Sequence, residues 1–354
     1  MMALRGYRFL SYLFIMLLFP SLLRAAEPHD VPAPLLFGVA LDGFPITEER
    51  LRNVEDHIGL SPGIVVFFLQ WPSTDGQGAA PFPRESLDAI WNMGAIPCLT
   101  WEPMYHKTGE EVMVPFDAIL NGDYDPYILG FAKKSAMWEK PFMIRFAHEM
   151  NVERYHWGTK KEGYGPESPD IYKRMFRYIV TMFQKADTQN VLWVFCPNAE
   201  SVPNTSYDPR AYWNRVENYY PGDKYVDVLG IDGYNWGTTQ TKAKHGWESQ
   251  WKEFAAIFRP AWEKLRQLAP DKPIFVFETA SVDQCGDKGL WIKNAFETAR
   301  AWKLNGLVWF QVKKEYDWRI NSGGGVSYRG ILEATACSPH QWIKGLRHDQ
   351  RRTD

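Results

Sequence analysis

The sequence predicts an α/β chain folded as a single (β/α)8 barrel, a TIM barrel, and three observations lead there. Eight short apolar or β-branched runs recur along the 354 residues. Amphipathic stretches with apolar residues at spacings of three and four lie between them, and no low-complexity linker or repeat of roughly 20 to 50 residues divides the chain.

Taken in order, the chain opens on an export signal. Arg5 and Arg8 supply charge, Phe9 to Leu23 an apolar run interrupted by Pro20 and Ser21, and Ala25 and Ala26 the small residues of a cleavage site. Residues 1–26 are read as a signal peptide and 27–354 as one domain of a secreted or periplasmic protein. An uncleaved anchor is the alternative, although the run is short for a full span. The eight strands are expected at Leu35 to Ala40, Ile64 to Leu69, Ile96 to Thr100, Phe142 to Phe146, Val191 to Phe195, Val226 to Ile231, Ile274 to Phe277 and Leu307 to Phe310. Helical periodicity is clearest over Ile171 to Lys185, Trp251 to Leu268 and Lys288 to Leu304.

A barrel builds its site at the carboxyl ends of its strands. The residues after each run are therefore informative: Asp42; Gln70 and Trp71; Trp101 and Glu102; His148, Glu149 and Asn151; Pro197, Asn198 and Glu200; Asp232, Tyr234 and Trp236; Glu278; Trp309 and Gln311. Polar and aromatic groups converge on one rim.

Composition narrows the partners. A formal net charge of −2 with no strongly basic stretch gives no reason to expect a nucleic acid. With 16 Trp and 17 Tyr the chain has an excess of flat rings of the kind that stack on sugars, though helix packing also uses tryptophan. Cys98, Cys196, Cys285 and Cys337 lack metal-ligand spacing, as do His57, His106, His148, His156 and His245, so no metal and no cofactor is expected. Cys98 and Cys196 sit in apolar runs and read as buried free thiols, and Cys285 with Cys337 is the pair to test for a disulfide.

Two glutamates carry the chemical reading. Cleaving a glycosidic bond takes one carboxyl to protonate the leaving oxygen and a second to attack or to activate water. Glu149 and Glu278 each stand at the end of an apolar strand. The segment Arg145-Phe-Ala-His-Glu-Met-Asn151 followed by Trp157-Gly158 resembles the acid/base motif of glycoside hydrolase family 26, a group that includes β-mannanases, mixed-linkage β-glucanases and β-1,3-xylanases. Val191-Leu-Trp-Val-Phe-Cys-Pro-Asn198, Asp227-Val-Leu-Gly-Ile-Asp-Gly-Tyr234 and Lys272-Pro-Ile-Phe-Val-Phe-Glu-Thr-Ala280 are similar to that family's fifth, sixth and seventh strands.

The resemblance implies a retaining β-glycoside hydrolase acting on a β-linked polysaccharide as a monomer, with Glu149 as acid/base, Glu278 as nucleophile and Tyr234 as hydrogen-bond donor to it. Retention requires carboxyls about 5 to 5.5 Å apart. His148, Asn151, Trp101, Trp157, Asp232, Tyr234 and Trp309 would shape the sugar site. A core histidine, a buried structural tyrosine and a packing tryptophan are the alternatives for His148, Tyr234 and Trp309. Two departures bear on substrate: Leu99-Thr-Trp-Glu-Pro103 stands where the family's mannanases carry a Trp-His pair, and Val152-Glu-Arg154 follows Asn151 where many members have glycine. The competing readings are an exopolysaccharide-processing glycosidase of another barrel family and a non-catalytic carbohydrate-binding barrel.

Overall fold

A computed structural model describes residues 35–73, 81–320 and 338–350, the last four of these by backbone alone. The strands are β1 (Leu36–Leu41), β2 (Ile64–Gln70), β3 (Ile96–Glu102), β4 (Met104–Lys107), β5 (Glu110–Met113), β6 (Phe142–Phe146), β7 (Val191–Phe195), β8 (Val228–Asn235), β9 (Ile274–Ser281) and β10 (Gly306–Phe310). The described helices are α1 (Glu48–Ile58), α2 (Arg84–Asn92), α3 (Phe116–Leu120), α4 (Asp125–Trp138), α5 (Ser168–Lys185), α6 (Val216–Tyr219), α7 (Lys242–His245), α8 (Phe254–Leu268), α9 (Lys288–Ala301) and α10 (Pro339–Gln350).

Eight of the strands close a parallel barrel in the order β1-β10-β9-β8-β7-β6-β3-β2, so the expected barrel is present. Its strands are buried on both faces, which is why they read as continuous apolar runs. The long helices pack one stripe inward: α5 buries Ile171, Tyr172, Met175, Phe176, Ile179 and Phe183 at spacings of one, three and four. Local signals set the ends of α1, where Thr47 accepts a hydrogen bond from the Arg50 N–H and Gly59 takes the left-handed conformation that stops the helix. Among the described residues no helix is long and apolar enough to cross a membrane.

Strand positions agree with expectation to within two residues, except that two strands run four residues further than an apolar criterion allows. Expected to stop at Ile231 and Phe277, β8 and β9 continue to Asn235 and Ser281. A run of apolar residues ends at the first polar side chain, whereas these strands carry Asp232, Tyr234 and Glu278 within the ladder because each finds a polar partner there. The β4–β5 hairpin was not expected. Its turn residues Thr108 and Gly109 both have positive φ, 51° and 85°, as a two-residue hairpin turn requires.

Cys98 and Cys196 are buried free thiols, as expected. The signal peptide (1–26) and Cys337, and with it the pairing to Cys285, lie outside the described residues.

Candidate active site

At the carboxyl end of the barrel the inward side chains are polar and organised around one buried cation. Arg145, on β6, is fully buried. Its Nε and Nη2 donate to the Thr100 hydroxyl at 2.9 and 2.7 Å, its Nη1 to Asp232 at 2.5 Å, and its Nη2 also to Glu278 Oε1. One guanidinium thus ties β3, β6, β8 and β9 together. Burial alone would depress its pKa, but the flanking Asp232 and Glu278 outweigh that and hold it well above the usual value.

Glu278 reaches this position through a bulge. β8 pairs Ile231 with Val276 and then Asp232 with Glu278, and β10 pairs Leu307 with Val276 and then Trp309 with Thr279, so β9 carries extra chain at Phe277 and Glu278 on both sides. Such an irregularity re-aims a side chain. The second carboxylate oxygen, Oε2, accepts from the Tyr234 hydroxyl at 2.5 Å. Burial, and next the neighbouring Glu278, push the Tyr234 phenol well above its ordinary pKa, so it stays a donor.

Glu149 arrives by a different route. The chain leaves β6 through two residues in the left-handed region, Ala147 (φ 47°) and Glu149 itself (φ 51°), a conformation that costs non-glycine residues about 1–3 kcal/mol and concentrates at functional sites. The Glu149 N–H is pinned to the Cys196 carbonyl at 2.8 Å, and its Oε1 accepts from Asn198 Nδ2 at 2.7 Å. Asn198 is fixed in turn by Asn151, whose Nδ2 donates to the Asn198 carbonyl and whose Oδ1 accepts the Asn198 N–H at 2.8 Å. Burial first, and the charge of Glu278 second, push the Glu149 carboxyl up to about 7. A carboxyl in that range both gives and takes protons near neutral pH.

The expected sugar-site residues divide. Tyr234 and Glu149 keep partial exposure at the mouth. His148 lies just beneath, its ring 4.7 Å from that of Tyr155, and its Nδ1 finds no hydrogen-bond partner among the described residues. Burial, with Arg145 and Arg154 adding to it, holds its pKa well below the usual value, so the ring is neutral.

Five expectations need correction. Trp101 points outward from β3, stacks on Phe131 of α4 at 4.6 Å and donates to the Tyr127 hydroxyl. Trp309 points outward from β10 against Trp291 of α9 and donates to the Trp318 carbonyl. Both rings are 0% exposed, so neither offers a face to a sugar. Strand alternation is the reason: Thr100 and Glu102 take the inward places on either side of Trp101. Asp232 is likewise 0% exposed and serves as the anchor of Arg145, while Asn151 is spent on Asn198 and Ser201. Trp157 is also buried, donating to the His148 carbonyl and backing Tyr155, whose half-buried ring lies 5.1 Å away and nearly parallel.

In their place stands an aromatic wall that begins at Tyr234 and continues through the half-buried Trp236 and Tyr316 and the exposed Trp247, backed from beneath by the buried Trp318, with Trp236 central at 4.9 to 6.1 Å from the others. Of these only Trp236 and Tyr234 stand directly after an apolar run, which is why the others escaped notice. His148, Asp232 and Glu278 bring ligand-type atoms within 4.8 Å of one another, but the Arg145 guanidinium already bonds both carboxylates and fills the role of the cation.

Residues 119–279, which hold Glu149, Arg145, Asp232 and Glu278, match the profile described as Glycosyl hydrolase family 26. The chain belongs to glycoside hydrolase family 26. This family 26 chain is 35% identical over 300 residues to a protein named Endoglucanase H from Acetivibrio thermocellus, a match covering 83% of the chain and 30% of that longer relative. It is 31% identical over 99 residues to a Bacillus subtilis protein named Mannan endo-1,4-beta-mannosidase, covering 26% of the chain and 23% of the relative. Among solved structures, the Bacillus subtilis mannanase BCman superposes with a TM-score of 0.58 at 18% identity, covering 84% of this chain and 85% of that one. A Bacteroides ovatus family 26 β-mannanase gives a TM-score of 0.55 at 22% identity, with 87% and 90% coverage. At these identities the superpositions establish the shared barrel.

Proposed function

We propose that this chain is the catalytic domain of an exported, endo-acting, retaining β-glycosidase that cuts a β-linked glucan or mannan, with Glu149 as acid/base and Glu278 as nucleophile. One observation supports this most. Two glutamates on neighbouring parts of one rim are held in opposite ways, Glu149 with its carboxyl pushed up to about 7 and Glu278 with both oxygens bonded by Arg145 and Tyr234. Environments that separate two carboxyls in this manner divide acid from nucleophile.

In the first step Glu278 attacks the anomeric carbon while the Glu149 proton passes to the departing glycosidic oxygen, giving a glycosyl-enzyme and a free chain end. In the second, Glu149 takes a proton from water as that water displaces Glu278, and the β configuration is restored. Arg145 and Tyr234 orient the attacking carboxylate, and Asn151 acts through Asn198 to orient the acid. Neutral His148, with its unsatisfied Nδ1, and the half-buried Tyr155 suit a sugar ring lying over them. A glucan comes first as substrate, because the match across most of the chain is to a protein named for endoglucanase activity and the matches to mannosidases are shorter.

The test is cleavage of mixed-linkage β-glucan, carboxymethylcellulose and β-mannan, with the anomeric form of the new chain ends followed by NMR. Glu149→Ala and Glu278→Ala each lower kcat by roughly a hundredfold to ten-thousandfold, and the first product seen is the β anomer. An initial α anomer sinks the retaining mechanism. Binding without cleavage, equal in wild type and variants, supports a carbohydrate-binding barrel instead.

A further inference from the structure

We propose that Cys196 is a positioning residue for the nucleophile: its thiol donates to Asp232, and through Asp232 and Arg145 it fixes the charge and the aim of Glu278. The kinetic consequence rests on the hydrolase reading above; the hydrogen bond does not. Cys196 directly follows β7 and is fully buried. The chain around it is clamped to β8, because the Asp232 N–H donates to the Pro197 carbonyl at 3.1 Å and the Ala199 N–H to the Asp232 carbonyl at 2.7 Å. That alignment sets the thiol against the Asp232 side chain, with Sγ 3.2 Å from Oδ1 and 3.8 Å from Arg145 Nη1. Gly230 on β8 leaves the room for it, since a Cβ there would lie 2.7 Å from the sulfur.

Asp232 needs this donor. Its side chain is fully buried and its Oδ2 is taken by Arg145, so among the described residues the thiol is what serves Oδ1. A buried carboxylate oxygen left without a donor keeps the full cost of its desolvation. Burial opposes an ionised Asp232 and Arg145 favours it; the charges of Glu278 and Glu149 oppose it again, and the Cys196 bond favours it. With Asp232 ionised, Arg145 stands between two carboxylates instead of facing Glu278 alone. The consequence is chemical. If Asp232 loses its thiol and turns away or takes a proton, the whole guanidinium charge falls on Glu278, and a carboxylate so neutralised attacks the anomeric carbon more slowly. Cys196 touches the acid as well, because its carbonyl accepts the Glu149 N–H at 2.8 Å. The substitution that isolates the thiol therefore has to leave the backbone in place.

Two measurements on the whole chain test this. The first is kcat and KM on an aryl β-glycoside for Cys196→Ala, Cys196→Ser and Cys98→Ala, each assayed well below its melting temperature. Cys98 is a second buried thiol of the barrel and takes no part in the hydrogen bonds around Arg145. Cys196→Ala lowers kcat roughly tenfold with KM changed by less than about twofold, as expected when only the attacking group is disturbed. Cys196→Ser, whose hydroxyl also donates, stays within about threefold of the wild-type rate, and Cys98→Ala within about twofold. The second measurement is the infrared S–H stretch, with the Cys196 band isolated by subtracting the Cys196→Ser spectrum and the Cys98 band by subtracting that of Cys98→Ala. The Cys196 band lies at lower wavenumber than the Cys98 band and moves up in Asp232→Asn, where a neutral amide oxygen is the weaker acceptor. Comparison of the two thiols carries the test if Cys196→Ala or Asp232→Asn does not fold. Equal rates in Cys196→Ala and Cys196→Ser, or coincident bands for the two thiols, overturn the proposal. Failure of the hydrolase reading looks different: wild type then cuts no glycoside, while the Cys196 band keeps its low position.

Discussion

Glu149 and Glu278 begin as the same carboxylic acid, and only their neighbours distinguish them. Glu149 meets one neutral donor, Asn198, inside a desolvated pocket that also contains the Glu278 charge. Glu278 meets a cation and a phenol. The Asn198 bond opposes the upward push on Glu149, because a donor favours the carboxylate form. Removing it therefore makes the proton harder to lose. In wild type the proton on Glu149 is present below about 7 and lost above it, so kcat/KM falls on the alkaline side of about pH 7. In Asn198→Ala that alkaline limb moves to higher pH, and the maximum rate drops because the acid is less well oriented. A pH profile of kcat/KM on an aryl β-glycoside checks this. An unmoved limb would mean that Asn198 does not act on the Glu149 proton, and a limb displaced to lower pH that it favours the protonated form instead.

At the scale of elements, the sequence discloses strands better than it discloses what strands do to side chains. Apolar runs located all eight barrel strands, and Glu149 and Glu278 stood out because they followed such runs. Trp101 and Trp309 also lay at strand ends, but facing is decided by a single step of alternation, and in β9 a bulge changes that count. No one-dimensional pattern marks a bulge that shows only in the pairing of β9 with β8 and β10. Asn198 was visible as a rim residue, yet its bond to Glu149 spans 49 positions of the chain and is set by Asn151, 47 positions away. The loop after β6 depends on local chemistry that can be tested directly. Gly158 has φ +77°, and a Cβ placed there would lie 2.7 Å from Met175 Sδ of α5 and 2.9 Å from Phe116 Cβ of α3. Gly59 has φ +79° with nothing within 4 Å. Gly59→Ala incurs only the backbone term, about 1–2 kcal/mol, whereas Gly158→Ala adds overpacking of about 1–3 kcal/mol. Urea unfolding of the two variants measures the difference, and equal losses would show that the loop yields where α3 and α5 meet it.

On the scale of the whole molecule, the barrel separates its two ends by kind of residue. The carboxyl end holds buried polar groups and strained backbone, both of which cost stability. The amino end is closed by α10, where Ile343 is fully buried, Trp342 lies 5.2 Å from Phe275 at the start of β9, and His340 stacks on Trp91 at 3.6 Å. None of these groups touches Glu149, Glu278 or their donors, so stability and turnover respond to different substitutions. Ile343→Ala leaves a cavity under the barrel and lowers the unfolding free energy by about 2–5 kcal/mol, while kcat/KM, measured well below the melting temperature, stays at the wild-type value. Glu278→Gln does the reverse, abolishing turnover with little loss of stability, since the amide oxygen still accepts from Arg145 or Tyr234. Parallel denaturation and kinetic measurements on the two proteins decide the matter. If Ile343→Ala also slows catalysis in proportion to its destabilisation, the two ends of the barrel are coupled and the division drawn here between them fails.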